Sequence, residues 1–245
     1  MNWTDKGIII ENRKYGETSS ILTILTTYHG KHRGLIKGAR NKKSRGMYEI
    51  GYLVHIEWKA RLEENLGYFK CELLQAYTSA HLNDPMRLAG ISSICSVLNS
   101  ALPEREPSKS LYESLSNFIV NLASFDWLKN YVNLELMLLS ELGFSLDLLN
   151  CAVTGQISEL NFVSPKTGRA VSKDAGMPYK ERLLALPLFL IRDSEFSNID
   201  ILNGLNLTGY FLKRNVFDQL NLGLPAARER LVDRIRQKNI IRSQN

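Results

Sequence analysis

The chain has 245 residues, with 31 Lys and Arg against 25 Asp and Glu, a formal charge of +6 and a pI near 9.2. That length suits one or two domains, and 44% apolar with 23% charged residues excludes the disordered and fibrous classes. The longest apolar run, Leu183 to Ile191, is nine residues and contains Pro187, far short of the roughly 20 that a membrane helix needs. The opening Met-Asn-Trp-Thr-Asp-Lys-Gly lacks a basic stretch followed by an apolar one, so no secretory leader is expected. Three isolated cysteines, Cys71, Cys95 and Cys151, make no disulfide framework and suit a reducing compartment. A soluble cytoplasmic protein is expected, with no membrane partner.

The first 77 residues alternate as strands do. Strand candidates are Gly7–Ile10, Ser20–Thr26, Lys31–Ile36, Tyr52–Trp58 and Gly67–Leu74, separated by turn signals at Tyr15-Gly16-Glu17, His29-Gly30-Lys31 and Ile50-Gly51. The clearest is Tyr52, Val54, Ile56 and Trp58 on one face with Leu53, His55 and Glu57 on the other. Five short strands in so few residues predict a small β-barrel, and an OB-fold and an SH3-like barrel fit the pattern equally well.

From Asp84 the period becomes helical. Helices are expected at about 85–101, then over Leu111, Leu115, Phe118, Ile119 and Leu122 behind the start signal Pro107-Ser108. Trp127 to Leu142 is apolar nearly all round and ends at Gly143, the pattern of a buried central helix. Further helices are expected at about 146–151, 179–191, 198–220 and 225–240, the last started by Pro225. Between Cys151 and Pro178 the helical period fails, and an irregular insertion with a turn at Pro165–Gly168 is expected. Lys166, Thr167 and Gly168 read as an ordinary turn before they read as a phosphate site.

The charge is unevenly spread. Residues 1–77 carry 13 Lys and Arg against 8 Asp and Glu, whereas residues 78–245 carry 18 against 17. Lys31, Arg33, Lys37, Arg40, Lys42, Lys43 and Arg45 fall within fifteen residues that contain no acidic residue, a field suited to a polyanion. Single-strand binding also needs flat side chains for the bases. Among Tyr28, Tyr48, Tyr52, Trp58, Tyr68 and Phe69, the alternation assigns most to the barrel core, and the loop-edge Tyr28 and Tyr48 are the better stacking candidates.

Enzyme chemistry finds no support. Gly38-Ala-Arg-Asn-Lys-Lys-Ser44 ends like a P-loop but lacks the second glycine and a following helix. His29-x-x-His32 has no third ligand nearby in sequence and reads as two surface histidines. Glu63-Glu64 reads as a solvated turn, and Cys71 and Cys95 as small core residues. No catalytic residue, cofactor or metal is expected.

Two stretches resemble the RecO family of bacterial recombination mediators. The first is Trp3-x-Asp5-x-Gly7-Ile8-Ile9-Ile10, Gly16-Glu17-Thr18-Ser19-x-Ile21, Thr26-x-x-x-Gly30 and Gly34-Leu-Ile-Lys37-Gly38-Ala39-Arg40. The second is Asn161 to Tyr179 followed by Leu183 to Leu190, similar to the degenerate zinc-finger segment of the family's alphaproteobacterial branch. The resemblance implies an α+β chain: an N-terminal five-stranded OB-fold over 1–78, and a helical domain over 79–245 with the zinc-finger-like insertion at 151–178.

The same resemblance implies a non-enzymatic mediator. It would bind single- and double-stranded DNA, anneal strands and help load RecA onto DNA coated by single-stranded-DNA-binding protein. Its partners would be RecR, the acidic C-terminal tail of single-stranded-DNA-binding protein and, in some pathways, RecF. The seven cations from Lys31 to Arg45 would be the DNA-binding residues. For the acidic tail, rims are offered by Lys213 and Arg214 beside Tyr210 and Phe211, and by Arg228, Arg230, Arg234 and Arg236, which read first as a solvated helix face. Many family members hold zinc with two CxxC pairs. Here Cys151 is followed by Thr154, with Ser172 and Ala175 at the second pair, so no zinc is expected and packing of Leu160, Phe162 and Val163 should hold the segment. The alternative from another class is an RNA-binding scaffold with a basic barrel.

Overall fold

The computed structural model describes residues 1–42, 44 and 46–243, with side chains as far as Gln237. It divides into two compact units, Met1–Ala123 and Ser124–Asn245. Among the described residues no helix is long and apolar enough to cross a membrane.

The first unit is built on five strands: β1 (Asn2–Tyr15), β2 (Ser19–Thr26), β3 (Lys31–Ile36), β4 (Leu53–Lys59) and β5 (Tyr68–Gln75). They close a barrel in the order β1-β2-β3-β5-β4. All pairings are antiparallel except β3 with β5, joined at Leu35 and Tyr68. That parallel closure, with β1 shared between β2 and β4, is the OB-fold and removes the SH3-like alternative. β1 serves two ladders, residues 2–8 with β4 and residues 7–15 with β2, with a bulge between Ile9 and Glu11. Bulges bend a strand in this way. At the shared position Gly7, a Cβ would lie 2.5 Å from Ile24 Cγ2, so the crossing of the two ladders needs glycine.

The barrel core includes Leu22, Ile24, Tyr52, Val54, Ile56, Trp58, Phe69 and Cys71. Burial pushes the Cys71 thiol up to about 12, as it does for Cys95 in the first helix. Both are core residues, as their apolar surroundings suggested. Ile8, Ile9 and Ile10 are buried consecutively, because the bulge resets the strand's facing and α1 (Pro85–Ala101) packs over β1.

Helix α1 begins at Pro85, and Asp84 accepts hydrogen bonds from the Met86 and Arg87 N–H groups. Helix α2 (Lys109–Val120) is capped by the Ser108 hydroxyl, which accepts from Leu111 N–H. Both helices belong to the compact unit of the barrel, so compactness divides the chain well beyond the boundary expected at residue 78. The reason lies in the links between them and the barrel. Thr78 donates to Ile50 O at 3.2 Å, Lys31 donates to Asn99 O at 2.7 Å, and Arg105 N–H donates to Lys31 O at 2.9 Å.

The second unit is organised by α3 (Trp127–Glu141), which buries Trp127, Tyr131, Val132, Leu134, Glu135, Leu138 and Leu139. It is followed by β6 (Leu160–Val163), β7 (Ala170–Ser172), a single turn α4 (Lys173–Gly176), β8 (Leu184–Ala185), α5 (Asn198–Leu212) and α6 (Ala226–Ser243). The small sheet has the order β7-β6-β8.

Two expected helices are absent. Residues 146–151 are extended because Asp147 exchanges backbone hydrogen bonds with Gly168 and Ala170 at 3.1 and 2.8 Å. Residues 179–191 break into two 3-10 turns around β8, since Pro187 has no N–H to donate and disfavours helix at the residue before it. The helix expected at 198–220 ends its regular part at Leu212 and continues as a π-helical turn, Lys213–Phe217.

Arg228 corrects the reading of the α6 arginines as a uniformly solvated face. It is buried, with Nε 2.6 Å from Glu135 Oε1 and a terminal nitrogen 2.8 Å from Glu135 Oε2 and 2.7 Å from Leu205 O. Thr208 also donates to Glu135. The pair joins α3, α5 and α6, and the Glu135 carboxylate holds the Arg228 pKa above its usual value against the pull of burial.

Candidate nucleic-acid interface

The described cations among those predicted are spread along β3 (Lys31–Ile36) and the turn after it, and they separate into three kinds. Lys31 is turned inward: it is 8% exposed, its ammonium donates to Asn99 O, and burial pulls its pKa down. It anchors α1 to the barrel and presents no charge to a phosphate. Arg33 is exposed but its Nε lies 2.6 Å from Glu104 Oε1, so its charge is already balanced. Lys37, Arg40 and Lys42 are exposed and form no ion pair among the described residues. Lys43 and Arg45 lie outside the described residues.

The turn is not a loose strand end. Gly38 adopts φ +70°, Asn41 N–H donates to Gly38 O at 3.1 Å, and Arg40 N–H donates to Thr18 O at 2.9 Å. The last bond ties the turn to the β1–β2 connection, so Arg40 and its neighbours project from a fixed backbone. Among the described residues no helix follows this turn before β4, which removes the remaining basis for a P-loop.

Beside the turn is a shallow cleft of about 410 Å³ lined by Leu35, Ile36, Lys37, Tyr48, Tyr68, Phe69, Lys70 and Cys71. Lys37 Nζ stands 4.9 Å above the Tyr68 ring, a cation–π pair. Lys70 lies in the same cleft, 3.0 Å from Glu57 on the exposed face. Tyr68 is 52% exposed, although the alternation placed it in the core. β5 opens with Tyr68 facing out and Phe69 facing in. Tyr52, Trp58 and Phe69 are core residues, Tyr48 is half-buried against the barrel core, and Tyr28 stands out at 70% exposure. The flat, exposed ring beside unpaired cations is therefore Tyr68, with Tyr48 at its edge. The only sequence signal for it was the Tyr68-Phe69 pair itself, since one of two adjacent strand residues must face outward.

The hairpin of the second unit was the other candidate. Ser164 N–H donates to Arg169 O and Gly168 N–H to Ser164 O, both at 2.9 Å, while Arg214 donates to the Pro165 and Lys166 carbonyls. Lys166–Gly168 is thus a closed turn whose Lys166 and Gly168 carbonyls are engaged. Leu160 and Val163 are buried and Phe162 half-buried.

Cys151 Sγ accepts N–H bonds from Val153 and Thr154 at 3.4 Å and from Ser172 at 3.2 Å. Burial pushes this thiol up, but hydrogen bonds from Ser172 and Thr154 outweigh it and hold the pKa at about 6. One sulfur with Thr154, Ser172 and Ala175 in place of three thiolates does not fit a structural zinc. The segment is held by the small sheet and by backbone hydrogen bonds to that sulfur.

Tyr210, Lys213, Leu224, Val232 and Arg236 line a groove of about 480 Å³ between α5 and α6. Lys213 pairs with Asp218 at 2.6 Å, and Arg236 with Asp233 at 3.5 Å. Phe211 is buried, and Arg214 is committed to the hairpin turn. Of the six cations offered as rims, Lys213, Arg236 and the buried Arg228 line the groove.

Comparison with known proteins adds a separate line of evidence. The family Recombination protein O N terminal matches residues 1–77, and Recombination protein O C terminal matches residues 82–222. A protein of Rhodospirillum centenum named DNA repair protein RecO is 44% identical over 239 residues, covering 97% of this chain and 96% of that protein. Relatives of the same name from a Wolbachia of Drosophila simulans (44% over 236 residues, 93% and 98% covered) and from Bartonella quintana (43% over 237 residues, 95% and 96% covered) are similarly close.

Proposed function

The chain belongs to the RecO family, whose role is in DNA repair, and from that premise we propose that it is a non-enzymatic recombination mediator. It binds single-stranded DNA through the turn after β3, anneals complementary strands, and helps load RecA onto strands coated by single-stranded-DNA-binding protein. The observation that carries this reading is the exposed Lys37, Arg40 and Lys42 beside the Tyr68 ring on an OB-fold. Cations for phosphates and flat rings for bases are what a single-strand groove requires. Lys43 and Arg45 extend the same basic segment in the sequence. Lys31 and Arg33 are not among its phosphate contacts. Double-stranded DNA offers the same phosphates to the same cations.

Annealing follows physically from charge shielding: strands whose phosphates are partly neutralised approach each other without nucleotide hydrolysis. The groove between α5 and α6 offers Tyr210, Leu224 and Val232 to a peptide ending in apolar residues, the chemistry of the single-stranded-DNA-binding-protein tail. The acidic part of such a tail would have to displace Asp218 from Lys213 and Asp233 from Arg236. RecR and RecF are partners inferred from the family alone. A cytoplasmic, nucleoid-associated location follows from DNA as the ligand.

Three to five phosphate contacts at about −0.7 each give a log–log salt slope of roughly −2 to −3.5 for single-strand affinity. Titration of an oligo-dT across salt measures it, and a slope near zero overturns the electrostatic site. Annealing that persists on strands coated by the cognate binding protein supports the mediator. Preference for folded RNA without annealing would instead indicate the RNA-binding scaffold.

A further inference from the structure

At the opposite end of β3 from the basic turn, the barrel has a second cleft, of about 450 Å³. Its wall is a set of stacked rings. Trp3 lies parallel to His29, with centroids 4.0 Å apart and planes 7° off, and nearly parallel to Trp58 at 5.5 Å and 19°. The exposed Tyr28 ring flanks them. His32 comes from β3 and meets both indoles edge-on, at 4.9 and 4.8 Å.

His32 is the unexpected member. It is 3% exposed, and neither ring nitrogen has a hydrogen-bond partner, whereas the sequence placed it at the surface. Burial, with Arg105 and His29 nearby, pulls its pKa down to about 4, so at neutral pH the ring holds one unused donor and one unused acceptor. Buried polar groups in folded proteins almost always find partners, and an orphaned ring lining an open cleft points to a ligand.

The rest of the cleft is held in place. Asp5, itself buried, accepts from Tyr28 N–H at 2.8 Å and lies 3.0 Å from His29 Nδ1, which fixes the β2–β3 turn. Gly30 has φ +65°, and a Cβ there would meet the Glu106 carbonyl oxygen at 2.3 Å. The segment after α1 therefore lies directly on this turn, bridged at Lys31 and Glu104. That placement brings Arg105, at φ +66°, to the rim. Glu63, on the exposed β4–β5 turn, is the acidic member of the lining.

We propose that this cleft is a nucleotide site that takes one unstacked base of a bound single strand. The base lies against the exposed Tyr28 ring at the edge of the Trp3 stack, its polar edge faces His32 and Glu63, and its phosphate faces Arg105. Stacking of a base on an aromatic face is sequence-tolerant and contributes strongly to single-strand affinity. The proposal rests on the DNA-binding reading above and adds to it. His32 on β3 and Lys37 just after it are five residues apart, about 17 Å, so one strand can reach both the basic turn and the cleft.

The test uses the full chain carrying Trp127→Phe, so that Trp3 and Trp58 alone report by fluorescence. The probes are an oligo-dT, an abasic strand of equal length and free thymidine monophosphate, with strand binding read by anisotropy. Quenching by oligo-dT but not by the abasic strand is expected, and Tyr28→Ala should weaken oligo-dT binding roughly fivefold or more while leaving the abasic strand unaffected. Arg105→Ala, which removes a phosphate contact, should weaken both strands. In the unsubstituted protein, a 5-iododeoxyuridine strand should crosslink under ultraviolet light to Trp3 or Tyr28, a readout independent of how the variants fold. Equal salt-sensitive binding of both strands without quenching or crosslinking overturns the base site and leaves the DNA reading standing. Failure of both strands to bind overturns both. Quenching by the mononucleotide alone overturns the strand assignment, leaving a site for free nucleotide.

Discussion

In the barrel unit, Lys37, Arg40 and Lys42 stand exposed with no ion pair among the described residues. In the helical unit, Arg228 is sealed among three helices with both carboxylate oxygens of Glu135. The two regions use the same chemical group for opposite purposes. An unpaired surface cation is cheap to keep in water and remains available for an incoming phosphate. A buried guanidinium is tolerable only with its counter-charge and hydrogen bonds complete, and then it fixes how helices pack and is unavailable to a ligand. Lys31 carries the second kind of cation into the barrel, where the first kind was expected.

That contrast is open to direct test, beginning with the largest effect. Arg228→Ala strands the Glu135 carboxylate in the core and should destabilise the protein by about 3–5 kcal/mol, seen as a lower denaturation midpoint. The joint change Glu135→Leu with Arg228→Met should recover most of that loss, because it leaves no buried charge alone. Single-strand affinity measured well below the melting temperature should be unchanged by the pair.

Joint reversal of Lys37, Arg40 and Lys42 to Glu should do the opposite. Single-strand affinity should fall by more than tenfold and the magnitude of the salt slope by about 2, three contacts at roughly 0.7 each. Thermal stability should change little, since these side chains are exposed. Unchanged affinity would place the DNA surface elsewhere.

Lys31→Met separates the two kinds of cation within one strand. It should cost about 1 kcal/mol through the lost bond to Asn99 O, with affinity and salt slope intact. A lower slope would mean that the Lys31 charge does reach a phosphate.

The smallest effect concerns Cys151. Its folded pKa of about 6 lies below the ordinary thiol value of 9.0, so the thiolate is the form that the fold favours. The resulting stability is complete above pH 9, declines as pH falls, and is gone below 6. The melting-temperature difference between the wild-type protein and Cys151→Ser should therefore widen from pH 6 to pH 9. Thiolate absorbance should titrate with a midpoint near 6.

Much of the fold was legible in the chain. Alternation at Tyr52–Trp58 and the turn signals around Gly30 and Gly51 marked the five strands, and the all-round apolar stretch from Trp127 marked the central helix. These signals are local, a period of two or of 3.6 written into consecutive residues. The helices expected at 146–151 and 179–191 failed because their backbone hydrogen bonds went to distant strands, which no local window reports. The site was legible only as charge. Seven cations were visible in the sequence, but which were free depended on Asn99 and Glu104, both more than 60 residues away from their partners along the chain.

The sequence by itself determined a basic barrel followed by a near-neutral helical region, with a single cysteine where zinc would need four ligands. Tertiary structure alone decided the closure of β3 on β5, the inward turn of Lys31, the outward face of Tyr68 and the enclosure of His32 beneath Trp3 and Trp58. The physical reason is the same in each case. Propensity and charge belong to a residue and its near neighbours, whereas burial and pairing belong to whatever the fold brings against it.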